Sequence, residues 1–267
     1  MNELEKIQAA LMEKDPPIYE LPEHILHMGK PWLLQGDYMV VGDIHSPTTN
    51  WEFASLVAKI AVKYLKKPRK LIIAGDLFNA DAFSFYTPVM EMPSWAQERD
   101  ATRALITEWM KTFEEIRLIV GNHERRLQRF TAGAFDTADI LSLIVSNPDR
   151  VKMSAFSFCV ITTPGGEWRV THPGRYRQNP LSVAGDIALI RKQNVIAFHE
   201  HHIGMTMDKS GNYVVVNGGS LANPNLIPYM ALIDDTKPSS KTGFVMLKNG
   251  APYIFGPAPL TDWSHWL

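Results

Sequence analysis

Short apolar runs of this 267-residue chain repeatedly end in aspartate, asparagine and histidine. Residues 71–76 read Leu-Ile-Ile-Ala-Gly-Asp, and residues 38–45 read Tyr-Met-Val-Val-Gly-Asp-Ile-His. Residues 117–124 end in Gly-Asn-His-Glu, residues 195–202 end in His-Glu-His-His, and residues 168–172 end in a single histidine. Ligands of α/β proteins bind at the carboxyl ends of strands. The five endings therefore predict one shared metal site.

The spacing of these side chains indicates how ions could be held. Asp43 and His45 are two positions apart, so on an extended segment both side chains point the same way. Asp76 can bridge two ions because each carboxylate oxygen has spare lone pairs. Nitrogen and oxygen ligands together favour Mn²⁺, Fe or Zn²⁺ over Ca²⁺, and the absence of thiolate ligands argues against a structural zinc site.

The histidine run at residues 199–202 allows two choices of ligand pair. His199 and His201 share one side of an extended segment, whereas the rings of His199 and His202 would point to opposite sides. The spacing therefore favours His199 with His201.

Strands and helices must bring these residues together. Strands are predicted at 38–43, 70–75 and 117–121, with helices at 50–66, where Asn50 is a candidate N-cap, and at 97–116. A helix start near Glu124 and helices at 137–146 and 182–193 are also predicted. Further strands are predicted at 155–163, 167–172, 195–198, 203–208, 213–217, 243–248 and 251–255. The pattern indicates an α/β sandwich of two sheets with helices outside, βαβ in the first half and mostly antiparallel in the second.

The chain is expected to contain one domain at 37–267, with residues 1–36 forming an N-terminal helix and a lead-in that pack on it. Residues 78–96 are rich in aromatic residues and lack a clear period. They form either a lid or substrate wall beside Asp76 or an ordinary packed connection. The role of residues 223–242 is not assigned.

The composition limits which binding partners and which kinds of cross-link are expected. A net charge of −1 provides no bulk attraction to nucleic acid or to an anionic membrane, so any phosphate recognition must be local. The single cysteine, Cys159, excludes an internal disulfide framework and is expected to be buried. No signal peptide or membrane-spanning run is recognised, so a cytoplasmic location and no membrane partner are expected.

The ordered motifs resemble the calcineurin-like metallophosphoesterase superfamily, whose pattern is D-x-H, G-D, G-N-H-[DE], a lone H and G-H-x-H. The resemblance runs from about residue 38 to residue 220 and includes the turn Asn-Gly-Gly-Ser at 217–220. The Gly-Asn-His-Glu-x-Arg block is similar to that of phage and bacterial members, which implies a host cytoplasm if the gene is phage-encoded. The implied fold is a four-layer α/β/β/α sandwich of two mixed β-sheets flanked by helices.

The resemblance also implies roles for the motif residues. It implies two divalent ions, Mn²⁺ first, with Fe, Zn²⁺, Ni²⁺ and Mg²⁺ as alternatives. One ion would be held by Asp43, His45, Asp76 and His201, and the other by Asp76, Asn122, His172 and His199. His123 would hydrogen-bond the scissile phosphate and protonate the leaving oxygen.

Two positions depart from the family pattern. Phe198 stands where the family has glycine before the last histidine pair, which places the local backbone geometry in question. Asn79 stands where an aspartate often follows the Gly-Asp motif.

Several arginines follow the motifs, and among them Arg126 and Arg175 are predicted to contact substrate. A local cluster of guanidinium groups suits phosphate or a nucleic-acid backbone. The alternative is a solvated helix face whose arginines pair with Glu124 and Asp136. The predicted catalytic residues are thus His123, Asp76, Arg126 and Arg175.

The predicted function is hydrolysis of phosphodiester bonds by a metal-activated water, with DNA or nucleotide substrates tried first. One alternative is a phosphomonoesterase, including a protein phosphatase. It is disfavoured because Ser-Pro-Thr rather than glycine follows His45. The other is a non-catalytic binding module on the same fold, which the intact ligand set disfavours. The partner is then a phosphate-ester substrate, and the oligomeric state is not predicted.

Overall fold

Twelve strands and five α-helices lie within residues 29–84, 92–145, 148–226 and 240–267, which the computed structural model describes. The strands are β1 (Leu33–Gln35), β2 (Tyr38–Val41), β3 (Lys70–Ala74), β4 (Glu115–Ile119), β5 (Val151–Ser154), β6 (Phe158–Thr163), β7 (Gly166–Thr171), β8 (Asn194–Ala197), β9 (Ile203–Met207), β10 (Val214–Gly218), β11 (Phe244–Lys248) and β12 (Ala251–Phe255). The helices are α1 (Trp51–Tyr64), α2 (Trp95–Trp109), α3 (Asn122–Phe130), α4 (Thr137–Ile144) and α5 (Ser182–Arg191). The N-terminal helix and most of the lead-in, predicted within 1–36, lie outside the described residues, as do parts of the two unassigned segments. Residues from Pro31 to Leu267 make one compact unit.

The first sheet has the strand order β12-β11-β2-β3-β4-β5. Strands β2 to β5 are parallel, and β11 pairs antiparallel with both β2 and β12. Strands β2 and β3 are buried on both faces, which explains their continuous apolar sequences. Because the parallel strands run in one direction, the residues that follow β2, β3 and β4 meet at one edge of the sheet.

The second sheet has the order β1-β6-β7-β8-β10-β9. Its β1–β6, β7–β8 and β8–β10 pairs are parallel, whereas its β6–β7 and β9–β10 pairs are antiparallel, so the sheet is mixed. Helix α5 lies between β7 and β8 and returns the chain to the same end, which makes that pair parallel. Turn signals and apolar alternation did not reveal this crossover.

The two sheets pack face to face with helices on both outer faces. Val40 and Ile72 point into the core between the sheets, whereas their neighbours Met39 and Leu71 pack under the helices of the first sheet. On the other side, α5 covers the second sheet through a small cluster that contains Ala184. The four-layer α/β/β/α sandwich of two mixed sheets is thereby confirmed.

Several local predictions are confirmed and two strands were missed. Asn50 caps α1 by accepting a hydrogen bond from the Phe53 amide at 3.2 Å. Cys159 lies fully buried between the sheets, and burial raises the pKa of its thiol to about 12. β1 lies within the predicted lead-in, and β5 precedes the strand predicted at 155–163. No helix in the described part of the chain is both long and apolar enough to cross a bilayer.

Candidate metal centre

The predicted ligands lie close together at the ends of five strands. Asp43 and His45 follow β2, Asp76 follows β3, and Asn122 opens α3 after β4. From the second sheet, His172 follows β7, and the remaining two histidines, His199 and His201, follow β8. The structure brings all seven predicted metal ligands together where the ends of the two sheets meet.

The first group of ligands contains Asp43, His45 and His201. Oδ1 of Asp43 lies 3.4 Å from Nε2 of His201 and 3.9 Å from Nε2 of His45. The two Nε2 atoms are 3.2 Å apart. The other carboxylate oxygen of Asp43 accepts the backbone N–H of His199 at 2.7 Å, which fixes the plane of the carboxylate.

The second group contains Asp76, His172 and His199, with Asn122 beside them. Nε2 of His172 lies 3.4 Å from Oδ2 of Asp76, 3.1 Å from Nδ1 of His199 and 3.0 Å from Oδ1 of Asn122. Asp76 also lies within 4.8 Å of a ring nitrogen of His45 in the first group. Its carboxylate therefore lies between His45 of the first group and the two histidines of the second.

The donor set fits a cation. Nδ1–H of His172 donates to the Ala74 carbonyl at 2.9 Å, which in the neutral ring leaves Nε2 as an acceptor facing the Asn122 oxygen. Two acceptors at that distance repel unless a proton or a cation lies between them. Oδ1 of Asp43 is also buried without a hydrogen-bond partner. Divalent ions with nitrogen and oxygen ligands would satisfy these atoms.

Asn79 orients His45. Its Oδ1 accepts Nδ1–H of His45 at 2.9 Å, so the Nε2 lone pair of His45 is turned toward Asp43 and His201. The sequence identified Asn79 only as a departure from a family aspartate. The amide oxygen supplies a neutral acceptor at this place.

The backbone is constrained where the ligands sit. Positive φ angles occur at Asp43 (49°), His45 (49°), Asp76 (51°), His199 (82°) and His201 (55°). Such conformations cost on the order of 1 kcal/mol or more for residues with a side chain, and they concentrate at functional sites. The sharp turns aim consecutive ligands at one point, which a regular strand cannot do.

His202 does not join the cluster. Its ring is buried and neither nitrogen has a hydrogen-bond partner, but it belongs to none of the ligand groups formed by the described residues. The structure thus brings together His199 and His201, the pair that the spacing favoured. Glu200, between them, accepts the Arg177 N–H at 3.0 Å and the Asn217 side-chain amide at 3.1 Å.

The turn at residues 217–220 supports Asp43 from the second sheet. The Ser220 hydroxyl donates to the Asp43 carbonyl at 2.7 Å, and the amides of Leu221 and Ala222 also donate to it. The turn therefore acts on the backbone of Asp43 and not on a ligand atom.

Glu124 is a positioning residue that the sequence did not single out. Its buried carboxylate accepts three backbone N–H groups, from Asp76 at 3.0 Å, Leu77 at 2.8 Å and Gly121 at 2.7 Å. It thereby joins the loops that follow β3 and β4. The signal was present in the spacing, because a glutamate at the third position of a helix can accept the backbone N–H of the N-cap residue, here Gly121.

His123 lies at the rim of the centre. Its backbone N–H donates to Oδ1 of Asp76 at 2.9 Å, and its Nε2 lies 3.7 Å from Oδ2 of Asp76. His45, Asp76 and His123 also fall within ligand distance of one another. His123 is a poor third ligand, however, because its Nε2 faces an N–H of Arg126 at 3.1 Å.

The arginines lie in different environments. Arg126 contacts the Asn79 carbonyl at 3.0 Å, Asp81 at 3.4 Å and His123. Arg175 is exposed, three residues after His172. Arg177 pairs with Asp186 at 2.7 Å.

The electrostatics of the centre are dominated by its buried carboxylates. Burial opposes ionisation of Asp43 and Asp76, yet the surrounding histidines hold both pKa values below the usual range. Burial also opposes protonation of His172, but the carboxylates of Asp76 and Asp43 raise its pKa to about 10. For His45, burial and the neighbouring His123 and His201 lower the pKa to about 3.

The model of the calcineurin-like phosphoesterase family matches residues 37–249. The chain belongs to this family. The match spans every candidate ligand, and together with the clustered aspartate and histidine side chains it supports a metal-dependent phosphoesterase.

Solved structures with a similar fold share little sequence with this member of the family. Vps29 from Chaetomium thermophilum is 10% identical with a TM-score of 0.45, covering 84% of this chain and 93% of its own. A single mutant of Vps29 from Entamoeba histolytica is 14% identical with a TM-score of 0.39, covering 83% and 98%. The protein TT1561 from Thermus thermophilus is 11% identical with a TM-score of 0.37, again covering 83% and 98%. A search of curated proteins found no match.

Proposed function

We propose that this chain is a phosphodiesterase that uses two divalent metal ions. The observation that carries the proposal is the position of Asp76, whose carboxylate lies within ligand distance of His45 and also of His172 and His199. His45 belongs to a further group with Asp43 and His201, and Asn122 lies beside His172. A single-ion site would not need a carboxylate placed between two sets of donors.

Two ions held by these residues would supply Lewis-acid stabilisation of phosphate charge and a water of lowered pKa. The chain's own side chains provide the orientation. Asn79 and the Ala74 carbonyl accept the Nδ1–H of His45 and of His172, so each ring in its neutral form would present an Nε2 lone pair to an ion. Mn²⁺ is the ion that we would supply first, because it accepts both nitrogen and oxygen ligands.

His123 is the residue proposed to contact the scissile phosphate and to hold or pass a proton at Nε2. Its ring packs edge-on against His45 with centroids 4.6 Å apart, and its Nε2 is turned toward Asp76. Burial lowers the pKa of His123 to about 4, with Asp76 opposing and Arg126 reinforcing the shift. The ring is therefore neutral at pH 7 in the metal-free protein, and Nε2 would have to take up a proton before it could donate one to the leaving oxygen.

A diester substrate is proposed over a monoester, with DNA or nucleotide diesters first. The exposed Arg175, three residues after His172 in the chain, supports this proposal, because a guanidinium suits a substrate that continues beyond the scissile phosphate. With a net charge of −1, such a contact must be local.

The test compares bis-p-nitrophenyl phosphate with p-nitrophenyl phosphate, using metal-stripped protein refilled with Mn²⁺. Turnover of the diester that depends on Mn²⁺ and falls in His123→Ala supports the proposal. Turnover of the monoester alone would replace it with a phosphomonoesterase. Two bound metals per chain with no turnover of either ester, or of DNA and cyclic nucleotides, would favour a binding module.

A further inference from the structure

The guanidinium of Arg126 contacts three other groups of the protein. One terminal nitrogen donates to the Asn79 carbonyl at 3.0 Å and lies 3.4 Å from Oδ1 of Asp81, while the other lies 3.1 Å from Nε2 of His123. These two nitrogens form an edge with which arginine binds a carboxylate or phosphate. In this arrangement that edge is used within the protein.

The same contacts define the tautomer of His123. Its Nδ1 lies 2.6 Å from the Asn79 carbonyl, which can only accept, so Nδ1 carries the hydrogen. Nε2 then offers its lone pair to the N–H of Arg126. Since an arginine never acts as an acceptor, the pair of contacts excludes the opposite tautomer.

The turn that carries Asn79 is itself anchored. The buried carboxylate of Glu98, on α2, accepts the N–H of Ala80 at 2.6 Å and that of Asp81 at 3.2 Å. Ala80 adopts a positive φ of 52°, so the turn needs such support. Asn79 is thus held in place, where its side chain contacts His45 and its backbone carbonyl contacts His123.

We propose that Arg126 is a positioning residue that acts through His123: by donating to Nε2 it holds the orientation of a ring whose Nδ1–H is already fixed by the Asn79 carbonyl. This inference rests on the proposed function and revises the expectation that Arg126 binds phosphate directly. A phosphate bound to the edge of the two terminal nitrogens would have to displace these contacts, whereas here that edge orients the ring that faces Asp76.

A double-mutant cycle tests the inference on Mn²⁺-loaded enzyme with bis-p-nitrophenyl phosphate. Arg126→Ala should lower kcat at least about 10-fold, within the range that a positioned acid or base contributes, and change KM less than about 2-fold. In a His123→Ala background the same substitution should have almost no effect on kcat, because the ring through which it acts is gone. Arg126→Lys, which keeps a donor near Nε2, should recover part of kcat.

The matched control is Arg99→Ala, which removes an α2 arginine paired with its neighbour Asp100, and it should leave kcat unchanged. Equal effects of Arg126→Ala in both backgrounds, or a rise in KM at constant kcat, would overturn the inference and indicate a direct phosphate contact. If the wild type hydrolyses no ester, the proposed function fails.

A second readout does not depend on activity. Long-range ¹H–¹⁵N spectra of the metal-free protein should show His123 with a protonated Nδ1 and an unprotonated, hydrogen-bonded Nε2. In Arg126→Ala the Nε2 signal should lose its hydrogen-bond shift, while Nδ1 stays protonated against the Asn79 carbonyl. An unchanged His123 spectrum in Arg126→Ala would overturn the inference even if the enzyme is active.

Discussion

The ring of Phe198 lies against the backbone of Gly42, where an added β-carbon would be 2.6 Å from Cδ1 of the ring. Phe198 is fully buried in the core between the sheets, and its far end occupies the space beside Gly218 in the same way. The phenylalanine that replaces a family glycine is therefore accommodated by two glycines, one from each sheet.

This packing predicts that Gly42→Ala destabilises the protein. The β-carbon would also meet the Ala74 carbonyl at 3.1 Å, so neither neighbour can yield freely. We expect a loss of about 1–3 kcal/mol in the free energy of unfolding, the usual cost of overpacking, measured by urea denaturation. Gly185→Ala, within α5 and with open space around it, is the matched control and should stabilise by about 0.5–1 kcal/mol. Equal stability of the two variants would contradict the packing argument.

Gly121→Ala should remove metal binding while the fold survives. A β-carbon there would overlap Oδ1 of Asp76 and lie 2.6 Å from its backbone nitrogen, so the carboxylate must move. We expect metal affinity to fall at least about 10-fold, as it does when ligand orientation is lost. Metal content after dialysis measures the effect, with circular dichroism as the test of folding. Gly174→Ala, which meets no atom within 4 Å, should bind metal normally.

Asp76→Asn should lower metal content and activity together, because a neutral amide cannot bridge two ions as a carboxylate does. Metal removal by a chelator should abolish wild-type turnover, and Mn²⁺ should restore it. The readouts are metal per chain and ester hydrolysis on the same samples. Full activity in a variant that binds at most one ion would argue against a two-ion mechanism.

Glu124→Gln should disturb the centre without touching a ligand side chain. The wild-type carboxylate accepts three N–H groups, whereas a glutamine oxygen accepts at most two and its NH₂ would face a donor. A buried N–H left without an acceptor costs about 1–3 kcal/mol, so the melting temperature and the metal affinity should both fall. Glu108→Gln, on the exposed side of α2, supplies the comparison and should change neither.

Glu98 should make stability depend on pH. Burial, reinforced by Asp81 and opposed by two backbone N–H groups and by Arg126, raises the pKa of Glu98 from 4.5 to about 7. The folded protein therefore binds its proton more tightly than the unfolded chain, and this contribution to stability is lost as pH rises from about 4.5 to 7. Relative to Glu98→Gln, the wild type should lose up to about 3 kcal/mol over that interval. Denaturation of metal-free protein at several pH values measures it, and parallel curves for the two proteins would refute the assignment.

Local patterns predicted the ligands but not the residues that support them. Asp43 and His45, like His199 and His201, were identified by their spacing at strand ends. Asn79 and Glu98 contact backbone groups or rings that are distant in the sequence. Asn79, for example, is 34 residues away from His45. Strand direction in the second sheet was hidden for the same reason, since pairing partners are set by tertiary packing and not by periodicity.

The ligands are divided between the two sheets of the sandwich. Asp43, Asp76 and Asn122 follow strands of the first sheet, while His172 and His199 follow strands of the second. Ions bound between them would link the two sheets at one end of the sandwich. A small movement of one sheet relative to the other, too small to expose the core, would then separate the two sets of ligands. Catalysis should therefore fail under mild denaturant before any secondary structure is lost.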